Sequence, residues 1–88
     1  MSKLEKLILK LLTGNADANF DIEDLMQILS RLDFEERKTK GSHRIFSKKS
    51  VFGIINLQKT KDGKAKPYQV KQVRDFLVYN KLVDNEQI

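Results

Sequence analysis

The chain has 88 residues, no cysteine and a single histidine, a length that supports one small domain and a composition that excludes both a disulfide framework and a thiolate metal centre. Its net charge of +5 favours anionic partners over basic ones. The first residues, Met1-Ser2-Lys3-Leu4, run into apolar positions broken by Glu5, Lys6 and Lys10, so a signal peptide and a spanning helix are both excluded and a soluble, unprocessed, cytoplasmic chain is expected.

Leu4, Leu7, Ile8, Leu11 and Leu12 recur at helical spacing and predict an amphipathic helix from Ser2 to Leu12, stopped by Thr13-Gly14-Asn15. A second helix follows Asn19-Phe20-Asp21, with Asp21 as its cap and Phe20 stapled to Leu25. Ile22, Leu25, Ile28, Leu29 and Leu32 form its apolar face, and it should end near Asp33. The period then changes. Phe34 to Thr39, the turn Lys40-Gly41-Ser42 and His43 to Ser47 read as a hairpin, and Gly53 to Gln58 supplies a third strand. Lys59 to Lys66 is a polar loop, after which Pro67 opens a closing helix whose stripe is Val70, Val73, Phe76, Leu77 and Leu82, with Lys71 and Arg74 on its polar side. The order helix, helix, three strands, helix predicts an α+β two-layer sandwich, a three-stranded antiparallel sheet with helices on one face. A single domain over residues 1–88 is expected, with 1–14 as an additional N-terminal helix and 20–82 as the core. Phe20, Leu25, Ile28, Leu29, Phe46, Val70, Val73 and Leu77 are its expected centre.

The charge is concentrated in the middle of the chain. Residues 37–74 hold twelve lysines and arginines against the single acid Asp62, whereas residues 1–33 are net acidic. A lysine-rich face can serve solubility alone, but so sustained a run also suits a polyanion, of which nucleic-acid phosphate is the commonest inside cells. There is no GxGxxG, GxxxxGK[ST] or GxSxG pattern, which leaves dinucleotide binding, nucleoside triphosphate hydrolysis and the serine-esterase elbow without support. No carboxylate cluster flanks His43, so no metal and no cofactor is expected. What remains is His43 itself, at a strand's start after a glycine turn. An imidazole there can move a proton in cleavage of a phosphodiester by its neighbouring 2′-hydroxyl, while cations hold the phosphate. It can equally be a structural or surface residue.

Gly41-Ser42-His43-Arg44-Ile45-Phe46 resembles the Gly-Ser-His-x-x-(aromatic) signature of HicA toxins, and it follows Leu32-Asp33-Phe34 at the end of an amphipathic helix as in that family. Val70-Lys71-Gln72-Val73 is similar to the family's Leu-Arg-x-Ile at the start of the last helix, so the likeness spans roughly residues 22–80. The resemblance implies a fold similar to the double-stranded-RNA-binding domain. It also implies an endoribonuclease that cleaves messenger RNA with His43 as its catalytic residue, and a HicB antitoxin that binds the toxin and masks its site. Lys40, Ser42, Arg44, Lys64, Lys66, Lys71 and Arg74 are the candidate RNA-binding residues. Of these, Lys64, Lys66 and Lys71 straddle the start of the last helix, where free amides already favour anions; they can also be read as solvating a loop.

The sequence departs from the family in three places. The helix from Ser2 to Leu12 precedes the usual start, and whether it extends the core or contacts another subunit is open. Lys48 to Gly53 stands where many members have an Asp-Gly turn, and Gln58-Lys59 stands where some have a second histidine. The acid or base partner of His43 is left to a lysine, Arg44, Tyr68 or water. Strand alternation puts His43 and Phe46 on opposite faces. If Phe46 enters the core, His43 faces the open side; if Ile45 is the buried residue instead, His43 points inward. A non-catalytic RNA-binding module and a pure protein-interaction domain are the competing functions.

Overall fold

The computed structural model describes residues 2–39, 41 and 43–83. Helix α1 runs Lys3–Thr13 because Ser2 caps its first turn, accepting from the Glu5 amide at 3.1 Å, and Gly14 ends it at φ 75°. A short 3-10 turn, Asp17–Asn19, leads to helix α2, Ile22–Arg31. Phe20 and Leu25 are both fully buried where the staple was expected. The Asp21 side chain, however, makes no cap bond; its carboxylate is taken by the ammonium of Lys64.

Helix α2 stops without a glycine. Asp33 adopts φ 68°, its amide reaches the Ser30 carbonyl at 3.2 Å, and the Phe34 amide reaches that of Leu29 at 3.1 Å. This is a Schellman turn carried by an aspartate, a residue tolerated at positive φ. Lys48 adds a cationic cap by donating to the Leu32 carbonyl at 3.0 Å.

Three strands follow: β1 Glu35–Lys38, β2 His43–Lys48 and β3 Val51–Gln58. They form an antiparallel sheet in the order β1-β2-β3. Strand β3 starts two residues before the Gly53 expected from sequence, because Val51 pairs with Lys48 across an irregular register. Helix α3, Pro67–Tyr79, closes the fold. Its first turn is held by the Gln69 side chain, which accepts from the Lys66 amide at 3.3 Å.

All eight residues expected at the centre are fully buried. Phe46, Ile55 and Leu57 come from one face of the sheet and meet Val70, Val73 and Leu77 of α3 and the apolar stripe of α2 in one cluster. Leu7 and Leu11 belong to the same cluster, so α1 extends this core. The architecture is the expected α+β sandwich, with order α-α-β-β-β-α and helices covering one sheet face. No helix among the described residues is long and apolar enough to cross a membrane.

Candidate functional site

Strand parity settles where His43 stands. Phe46 is fully buried and Ile45 is only half-buried, so the inward set of β2 is Arg44, Phe46 and Lys48 and the outward set is His43, Ile45 and Ser47. His43 is half-buried on the face that the helices leave open. The register extends that face across the sheet: Gln58 lies opposite His43, Asn56 opposite Ile45, and Arg37 opposite Ile45 from the other side. The His43 carbonyl fixes the start of the strand, accepting from the Thr39 amide at 3.3 Å and from Arg44 Nη1 at 3.0 Å.

The same alternation sends Arg44 the other way. Its partners are Leu57 and Lys38 on the helix-facing side, and it lines an open groove of about 440 Å³ with Met26 and Gln27 of α2. Its side chain is only 16% exposed and lies 3.8 Å from Glu36. A second bond, from Nη1 to the Gly41 carbonyl at 3.4 Å, ties the guanidinium to the turn ahead of His43. The structure therefore does not bring Arg44 to the face that carries the imidazole. Lys40 and Ser42 lie outside the described residues.

The cations near α3 are largely occupied. Arg74, expected on the polar side, turns inward: its guanidinium grips both Asp17 oxygens at 2.8 and 3.0 Å and donates to the Leu11 carbonyl at 3.1 Å. Donation to the Asp17 carboxylate raises the Arg74 pKa against the opposing cost of burial. Lys71 pairs with Asp75 one turn along the exposed surface of α3. Lys64 is bound to Asp21, and the loop around it is pinned: the Ile22 amide reaches the Gly63 carbonyl at 2.9 Å and the Ala65 amide the Phe20 carbonyl at 2.7 Å. Lys66 is exposed at the N-cap of α3 and makes no ion pair among the described residues. The site predicted from sequence is thus divided, with His43 on the open face and Arg44, Lys64 and Arg74 tied into the scaffold.

Arg37 is the residue that the sequence pattern passed over. It is exposed, takes part in no ion pair or side-chain hydrogen bond among the described residues, and shares His43's face. The signal was the hairpin register, which sequence alone left open. Tyr68, 64% exposed at the start of α3, makes no side-chain hydrogen bond among the described residues. Among the described residues no three His, Cys, Asp or Glu side chains converge as a metal site would need. No family model, curated protein or solved structure matches the chain.

Proposed function

We propose that this chain is an RNA-cleaving toxin of the HicA type, acting in the cytoplasm on messenger RNA and held in check by a HicB-type antitoxin. One observation carries the proposal: the single imidazole of a strongly basic chain lies half-buried on the helix-free sheet face, where a polyanion has access to it. The neutral ring takes the proton of a 2′-hydroxyl as that oxygen attacks the adjacent phosphorus. The bond from phosphorus to the 5′-oxygen breaks, water gives a proton to the leaving oxygen and takes the one held by the ring in its place, and a 2′,3′-cyclic phosphate remains. Exposed cations such as Lys66 hold the RNA without reading its sequence.

The test is induced expression of the wild type beside His43→Ala, followed as growth and RNA integrity, with the purified proteins assayed on RNA. His43→Ala should stay folded, keep most RNA affinity and cut about 10²- to 10⁴-fold more slowly, the usual worth of a general acid or base. Chelator should leave wild-type cutting intact. A folded His43→Ala protein that cuts at the wild-type rate would leave the RNA-binding module as the better account.

A further inference from the structure

The open sheet face holds two groups suited to one anion. Arg37 on β1 sits opposite Ile45, one outward position along β2 from His43, so the two residues are diagonal cross-strand neighbours. In an antiparallel pair such neighbours are about 7–8 Å apart, within reach of long side chains. A phosphate group fits between a guanidinium and an imidazole at that spacing, and a guanidinium can take two of its oxygens at once. On the β3 side Asn56 and Gln58 set neutral amides opposite Ile45 and His43, and exposed Ile54 lies beyond them opposite Ser47. The acid on this face, Glu35, lies one outward position further from His43 than Arg37 and forms no ion pair among the described residues.

We infer that Arg37 and His43 together form the site for the scissile phosphate, with Arg37 holding the phosphate oxygens on which charge develops. The inference rests on the RNA-cleavage proposal and adds a second catalytic residue to it. It also reassigns the working cation: Arg44, the nearest cation in sequence, serves the turn from behind the sheet, whereas Arg37 stands beside the imidazole in front. Lysine carries the charge but lacks the fork that grips two oxygens.

The test compares wild type, His43→Ala, Arg37→Ala, Arg37→Lys and a control, Arg31→Ala, which removes a cation from the exposed end of α2. Each protein is first checked for an unchanged melting transition. Cleavage of a short single-stranded RNA is then measured under single turnover. Arg37→Ala should be about 10²- to 10³-fold slower, the loss typical of removing one donor from a developing oxyanion. Arg37→Lys should recover part of the rate, and Arg31→Ala should match wild type. If Arg37→Ala cuts within about threefold of wild type while His43→Ala is dead, the phosphate site is overturned and the nuclease proposal stands. A second readout is independent of cutting: the His43 ring resonances are followed by NMR during titration with a 2′-deoxy dinucleoside monophosphate, which lacks the attacking hydroxyl. Saturable shifts in wild type that vanish in Arg37→Ala support the shared phosphate site, and shifts that persist unchanged in Arg37→Ala overturn it. An absence of shifts in wild type overturns it as well.

Discussion

Arg74 shows how one side chain can change its role without changing its helix. Its spacing from Val70 and Leu77 sets it at the edge of the apolar stripe rather than on the polar side expected from sequence, where the 3-10 turn Asp17–Asn19 brings a carboxylate to it and the end of α1 offers a carbonyl. With both side chains of the pair mostly covered, at 18% and 24% exposure, Arg74→Ala should lower unfolding stability by about 2 kcal/mol, as expected for charged hydrogen bonds in partial cover. Asp17→Asn should cost a comparable amount. Urea unfolding midpoints measure both, and an unchanged midpoint for Arg74→Ala would show the clamp to be idle. Asp21 carries a pH signature. The hydrogen bond from Lys64, and then its charge, hold the Asp21 carboxyl below its ordinary value of 3.8. A depressed carboxylate contributes stability that is complete above the ordinary value and is lost as pH falls through the lowered one. The stability gap between wild type and Lys64→Gln should therefore be open at about pH 6 and shrink as the pH falls below 3.8. A gap that stays constant over that range would contradict the pairing.

At the scale of elements, α1 decides whether the N-terminal segment is an appendage. Leu11 is fully buried in the shared core and Leu7 lies beside it, so Leu11→Ala should cost about 2–5 kcal/mol, as large-to-small changes at closed core sites do. Thermal melts compare it with Leu4→Ala at a half-buried position, which should cost less. Equal losses would mean that α1 is not anchored as described. Strand β3 carries a different constraint. Gly53 sits at φ 109°, and a Cβ there would meet the Phe76 ring at 3.2 Å. Gly53→Ala should destabilise the fold through both backbone strain and crowding against α3.

Over the whole molecule, the ion pairs set how much of the positive charge is free to meet RNA. Lys59, Lys64, Lys71 and Arg74 are each paired with a carboxylate, so the number of phosphate contacts should fall short of the count of basic residues. With about four to six contacts, RNA affinity should drop with salt along a log-log slope of magnitude about 3 to 4, the single-strand value. Filter binding across a salt series measures it, and a flat response would remove phosphate as the leading contact. Neutralising exposed Lys66 should weaken binding to all sequences alike.

The sequence by itself determined the element order, the three amphipathic helices and the seven central residues on or beside those helices, because a periodicity of 3.6 reports which face of a helix is buried. It also determined that His43 and Phe46 lie on opposite faces, since alternation within a strand is local geometry. Only the tertiary structure decided which of these faces is the covered one, that the loop from Lys59 to Lys66 is pinned to the start of α2, and that Arg74 turns inward to Asp17. It alone set Arg37 beside His43. These are contacts between segments far apart in sequence or across a hairpin register, and no local pattern encodes them: the partner of a charge depends on what the packed core brings within reach.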